Sequence, residues 1–317
     1  MPDVRTGRRT IPFGDGAVEL AWAAVTDVGR RREVNQDAVL AEYPLFVVAD
    51  GMGGHIGGEI ASTSAIGRLR AIVETGAVTP KAIEKALGRA VKDIASHPEA
   101  TDDGTGTTVT GVYLDGGADP HWVTLNIGDS RVYLLRDGQI VQITTDHSVV
   151  QELIAAGRLS PEEAENHPYG NVITRAVGPS DSVKPDYVRL DLVDGDRFVV
   201  CSDGLTKELT DYGIQHFLDE NPTAPDAVEA MLDAALENGG RDNISIIVVD
   251  VAVLPAPGSS REGAEPREDG ERDEDDADGD APDAGDRGPD ASDADGAGSE
   301  ADTDGPDAGT AASPRED

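Results

Sequence analysis

The chain has 317 residues, with 62 acidic against 26 basic side chains and a formal net charge of −36. That length suits one large domain or two small ones, and the acidity disfavours a nucleic-acid partner, because phosphate backbones select basic faces. A single cysteine, Cys201, excludes an internal disulfide framework and fits a reducing compartment.

Residues 1–16 carry arginines and few apolar side chains, and they read as a flexible N-terminal extension. No apolar run follows that could form a signal-peptide core. No later stretch approaches the roughly 20 apolar residues of a membrane span, so a cytoplasmic protein is expected. Residues 17–26 read as a first strand, followed by the polar loop Arg30 to Asp37. Residues 38–49 suggest two short strands around Tyr43-Pro44. The second of these, Leu45-Phe46-Val47-Val48-Ala49, is rich in β-formers and bears the marks of a buried strand. It runs into Asp50-Gly51-Met52-Gly53-Gly54-His55, and a helix is expected over 59–75. Thr79-Pro80 opens a second helix, with Thr as N-cap and Pro at the first helical position.

The middle of the chain is β-rich, with strands expected over 107–114, 121–127, 131–136 and 139–143; Asp137-Gly138 makes a hairpin turn between the last two. From 144 to 178 the pattern is helical and polar, and Ser160-Pro161-Glu162-Glu163 matches a capping box. Strands return at 186–192 and 197–202, a helix at 224–237 and a final strand at 243–253. Residues 255–317 hold 22 acidic and 5 basic residues, a net −17 of the chain's −36, which leaves −19 for residues 1–254. This segment has no Leu, Ile, Val, Phe, Tyr or Trp with which to offset the entropy of ordering, so it reads as a disordered acidic tail. Strands and helices come in blocks instead of strict alternation. The fold class is therefore α+β, with two mostly antiparallel β-sheets packed as a sandwich and helices on both outer faces.

Five aspartates stand at the ends of apolar strands: Asp37, Asp50, Asp129, Asp203 and Asp242. Each alone is more often a turn residue than a ligand. Together, with Asp-Gly twice following a buried strand, they point to one shared site on a rim of the sandwich. Carboxylates gathered there would repel one another, so divalent cations are the natural counter-charge. An all-oxygen set suits Mg²⁺ or Mn²⁺ better than zinc.

Six motifs in order, Arg32-x-x-x-Gln36-Asp37, Asp50-Gly51-Met52-Gly53-Gly54, Gly106-Thr107-Thr108, Ile127-Gly128-Asp129-Ser130-Arg131, Ser202-Asp203-Gly204 and Asp242-Asn243, resemble the metal-dependent serine/threonine protein phosphatases of type 2C, in their bacterial branch. The resemblance covers about residues 18–252, so a catalytic domain over 17–254 is expected, with 145–178 as the flap beside the site. It implies hydrolysis of phosphoserine and phosphothreonine in proteins by a hydroxide bridging two Mn²⁺ or Mg²⁺ ions, which can lie about 3.5–4 Å apart. By the same resemblance Asp50 and the Gly51 carbonyl, Asp203, Asp242 and Asp37 are metal ligands, Asp129 with Asp203 would hold a third ion, and Arg32 grips the substrate phosphate. Eukaryotic members place a His directly after Asp-Gly as general acid; Met52 stands there in this chain, and His55 is the nearest titratable substitute.

The implied partners are phosphoproteins and the serine/threonine kinases whose work is reversed, with no nucleic acid and no membrane span, and a monomer is expected. A cysteine-dependent phosphatase is excluded, because Val200 precedes Cys201 where His is needed and Lys207 stands six residues on where Arg is needed. The alternative is a binding or regulatory module of the same fold without catalysis.

Overall fold

Every side chain from Leu45 to Ala49 is buried, yet alternate positions enter different cores. Leu45, Val47 and Ala49 cluster with Ala65, Leu69, Ile83 and Leu87, whereas Phe46 and Val48 cluster with Val132, Phe198, Val200 and Ile247. Successive side chains of a strand point to opposite faces. A strand covered on both faces therefore runs apolar without alternation. Residues 198–201 divide the same way, with Val199 and Cys201 joining Ala227, Met231 and Leu232. Four layers result: helices, sheet, sheet, helices.

The computed structural model describes residues 3–54, 56–99, 104–117, 119–164, 167–178 and 183–254. In chain order the first elements are β1 (Arg5–Phe13), β2 (Gly16–Asp27), β3 (Asp37–Glu42), β4 (Leu45–Met52), α1 (Gly57–Glu74) and α2 (Pro80–Ser96). Then come β5 (Gly106–Thr107), β6 (Val109–Asp115), β7 (His121–Ile127), β8 (Arg131–Arg136), β9 (Gln139–Gln142), α3 (Val149–Ala155) and α4 (Pro161–Ala164). The last are β10 (Asp186–Asp191), β11 (Arg197–Cys201), α5 (Asp203–Thr206), α6 (Asp211–Glu220), α7 (Ala224–Asn238) and β12 (Ile244–Leu254).

One sheet runs β1-β2-β12-β11-β8-β9 and the other β10-β7-β6-β4-β3, with β5 paired to β4. Every strand pair is antiparallel. Helices α1 and α2 cover the second sheet, and α6 and α7 cover the first. Among the described residues no helix is long and apolar enough to cross a membrane. The acidic tail expected over 255–317 lies outside the described residues, as does His55.

The N-terminal extension expected to be flexible over 1–16 is largely structured. Residues 5–13 form β1, an edge strand paired in register from Arg5↔Ala24 to Phe13↔Gly16. A two-residue turn, Gly14-Asp15, joins it to β2, and that dipeptide is the hairpin signal a reading for apolar content overlooks. An edge strand tolerates charge on its open side. Here Arg5, Arg8 and Arg9 are exposed, while Gly7 lies so close to the Trp22 indole that a Cβ would come within 2.3 Å of it. Two further elements fall where the sequence suggests none. Helix α6 buries only Ile214 and Leu218, too sparse a stripe to read, and α5 is a single turn. Helix α1 begins at Gly57, ahead of the expected 59; Gly58 packs onto Gly51 of β4 and Gly57 against the Thr105 side chain.

Candidate active site

Strand β4 lies inside the second sheet, and β12 lies inside the first between β2 and β11. Residues at one end of both therefore meet on one rim. Asp50 sits near the end of β4, and Asp37, the first residue of β3, is its direct cross-strand partner. Asp203 opens α5 immediately past β11, Asp129 occupies the turn from β7 to β8, and Asp242 stands two residues before β12. Arg32, Asp50, Gly51, Asp129, Asp203 and Asp242 all line one cavity of about 590 Å³, joined by Asn171 and Ile173 from the expected flap. Asp37 is not on the cavity wall; it is buried, 8 % exposed, across the strand pair from Asp50.

Backbone packing fixes this rim. A Cβ on Gly51 would stand 2.1 Å from the Gly58 carbonyl oxygen and 2.5 Å from that of Gln36, so only glycine fits where strand, loop and helix converge. The Asp50 carbonyl accepts from the Thr108 amide at 2.8 Å and from Thr107 Oγ1 at 2.9 Å, and the Asp50 amide donates to Thr108 Oγ1 at 3.0 Å. The segment expected to form a flap starts beside Asp129: the Arg131 guanidinium holds Asp146 at 2.7 Å, and the His147 amide donates to the Gly128 carbonyl at 2.9 Å.

The carboxylates are poorly compensated. Burial, with repulsion from Asp37, Asp203, Asp129 and Asp242, lifts Asp50 well above the ordinary carboxylate range. Burial also lifts Asp129 to about 7, with Asp203 and Asp146 adding to it. Asp37 rises to about 7 for the same first reason, although Ser245 and Ser202 hydroxyls partly counter it; Ser202 Oγ donates to Asp37 Oδ2 at 2.8 Å. Asp37 Oδ1 and Asp203 Oδ1 are buried with no hydrogen-bond partner. Buried oxygens left unpaired in this way call for a water, a proton or an ion as partner.

Arg32 reaches the cavity from the loop before β3. Its Nε lies 2.8 Å from Asp242 Oδ1 and its Nη2 donates to Asp242 Oδ2 at 2.9 Å, a two-pronged hold that leaves the side chain half exposed. Asn243 fixes the loop itself. Its Nδ2 donates to the carbonyls of Val28 and Val34 at 3.0 Å each, and its Oδ1 accepts from the Gln36 amide at 2.8 Å.

The sequence reading assigned no role to Lys207, which also lines the cavity. Its Nζ stands 2.5 Å from Asp203 Oδ2 and 2.8 Å from Asp242 Oδ2. Burial works against its charge, but the two aspartates outweigh that and hold it charged above the ordinary lysine range. For Asp242 burial likewise opposes ionisation, and Lys207, Asn243 and Arg32 together keep its carboxyl below the usual range. The available signal was the i,i+4 spacing of Lys207 from Asp203 across a helical turn. With these cations in place, no three of the described acidic, histidine or cysteine side chains are set around one point as metal ligands. The donor chemistry nevertheless fits a divalent cation: all oxygen, two atoms orphaned, three carboxyls lifted by burial and by the charge of their neighbours.

A sandwich of this layering with an aspartate rim defines a class, and sequence comparison gives it a name. The family model described as protein phosphatase 2C matches residues 28–241, and the chain belongs to that family. It is 38% identical over 236 residues to serine/threonine protein phosphatase PstP of Mycobacterium tuberculosis, a match over 73% of this chain and 45% of PstP. The chain thus spans under half the length of that relative. Protein phosphatase PhpP of Streptococcus pneumoniae is 35% identical over 238 residues, covering 72% of this chain and 96% of PhpP. Among solved structures, the Mycobacterium tuberculosis PstP/Ppp phosphatase is similar with a TM-score of 0.66 and 36% identity, over 73% of this chain and 98% of that one. A PstP catalytic domain in complex with two manganese ions is similar with a TM-score of 0.66 and 34% identity, over 74% and 99%.

Proposed function

We propose that this chain is a protein-serine/threonine phosphatase that hydrolyses phosphoserine and phosphothreonine esters in an Mn²⁺- or Mg²⁺-dependent reaction. The observation that carries the reading is the set of carboxylates gathered at and just behind one cavity, Asp37 and Asp203 each with a buried, unpaired oxygen. Asp50, the Gly51 carbonyl, Asp203, Asp242 and Asp37 would hold two ions, and Asp129 with Asp203 a third. When bound, the ions supply the missing positive charge and acidify water at the site.

The chain's own residues do the rest. Arg32 offers two parallel N–H donors to the substrate phosphate, and Asp242 presets the plane of that fork. In the reaction a water oxygen bonds to phosphorus while the bond from phosphorus to the serine or threonine oxygen breaks. The departing oxygen then needs a proton, and His55 is assigned as its donor. The flap residues Asn171 and Ile173 on the cavity wall would help to select the peptide. The substrates are phosphoproteins, the reaction opposes serine/threonine kinases, and the protein acts as a cytoplasmic monomer. The test is phosphate release from a phosphothreonine peptide with Mn²⁺, with and without EDTA. Release that persists in EDTA refutes the metal dependence, and none under either condition leaves a binding module of the same fold.

A further inference from the structure

Asp242 is saturated. Its Oδ1 accepts from the Asn243 amide at 2.9 Å and meets Arg32 Nε at 2.8 Å; its Oδ2 takes Arg32 Nη2 at 2.9 Å and Lys207 Nζ at 2.8 Å. A carboxylate offers about four lone-pair sites, so an ion that binds Asp242 must displace a donor. The Asn243 amide is backbone, and Arg32 is a two-pronged planar fork. Lys207 is the movable one, a point charge on a flexible stem. The same ammonium covers Asp203 Oδ2 at 2.5 Å, while Asp203 Oδ1 is buried and open. Asp203 and Lys207 stand one helical turn apart, so α5 brings the ammonium to the two carboxylates.

We propose that Lys207 is a built-in counter-cation of this centre: it holds Asp203 and Asp242 when no ion is bound, and a divalent ion enters by displacing it. The proposal rests on the assignment of Asp203 and Asp242 as metal ligands. Two consequences follow from the exchange. The metal-free protein keeps a compensated rim at this pair. Metal affinity is lowered in proportion to the share of molecules in which the lysine is seated, since apparent affinity scales with the population free to bind.

The experiment uses the full chain stripped with a chelator, the wild type beside Lys207→Met, which removes the charge and keeps the bulk. Mn²⁺ is titrated calorimetrically, and unfolding temperatures are read with and without it. Lys207→Met should bind Mn²⁺ about tenfold more tightly, the factor for a lysine seated in nine molecules of ten. It should also melt at a lower temperature than wild type in chelator, with the gap closing at saturating Mn²⁺. Lys207→Arg, which keeps the charge, should stay near wild type. A Kd for Lys207→Met within twofold of wild type, or weaker, overturns the inference. If Lys207→Met folds only with Mn²⁺ present, that supports the counter-cation, and Lys207→Gln then carries the titration with the same criterion. Absence of Mn²⁺ binding by every variant, wild type included, refutes the metal assignment itself; wild-type binding with unchanged variants refutes only the role of Lys207.

Discussion

Asn243→Ala probes how the site is held. The side chain is 6 % exposed and makes three hydrogen bonds to backbone: to the carbonyls of Val28 and Val34 and from the amide of Gln36. Leaving a buried backbone group unpaired costs about 1–3 kcal/mol. The loop 28–36 borders the open cavity, so water can reach part of what is uncovered; about 1 kcal/mol per bond, or about 3 kcal/mol in total, is the expected loss. For a body of this size that lowers Tm by about 6–12 °C. Because the same loop carries Arg32, KM for a phosphopeptide should rise about tenfold while kcat falls less, the signature of lost substrate binding. Thermal unfolding in saturating Mn²⁺ and steady-state kinetics on one phosphothreonine peptide read both effects. A Tm within 2 °C of wild type would mean that water replaces all three bonds and that Asn243 is no staple. A large fall in Tm with KM unchanged would separate the loop's anchorage from the placement of Arg32.

Three other substitutions test the same reading of the chain. Gly51→Ala puts a Cβ 2.1 Å from the Gly58 carbonyl oxygen, where backbone faces backbone, so Mn²⁺ binding should fall more than 100-fold as measured by calorimetry; wild-type affinity would show that the turn can relax. His55→Ala should slow phosphopeptide turnover by about 10²-fold or more, the usual contribution of a general acid, yet scarcely affect p-nitrophenyl phosphate, whose leaving group hardly needs a proton; equal losses on both substrates would remove His55 from that role. Burial pushes the Cys201 thiol up from 9.0 to about 12. Unfolded chains therefore release a proton that folded chains keep between those values, and stability falls as pH rises through that window, by up to about 1.4 kcal/mol per pH unit. Cys201→Ala should flatten that slope in urea melts at pH 9 to 11, and an unchanged slope would count against a buried thiol as its source.

Much of this architecture is legible in the chain because burial writes itself into sequence. The unbroken apolar run of β4 already says that both its faces are covered, and the Thr79 cap marks its helix because a hydroxyl must meet the Ala82 amide. The motif aspartates stand out because each lies in or next to one end of a strand. What escaped reading has physical causes. Strand β1 is held by register and by Gly7 lying against Trp22, neither of which shows as apolar content. Helix α6 rests on only two buried side chains. The contact of Lys207 with Asp242 joins residues 35 positions apart that only the closed sheet brings together.

The bond between Arg32 and Asp242 spans 210 positions, and Asp242 leads into β12, the strand on which β2 and β11 both pair. Such long-range closure needs the whole intervening chain to be present. During synthesis a chain that has not yet released its last strand lacks the spine of one sheet, the staple of the arginine loop and one of the aspartates together. A chain cut before Asp242 therefore loses one carboxylate of the rim and the anchor of the arginine loop in a single step. The order of elements thus acts as a completeness check, since the last strand closes one sheet and the arginine loop together.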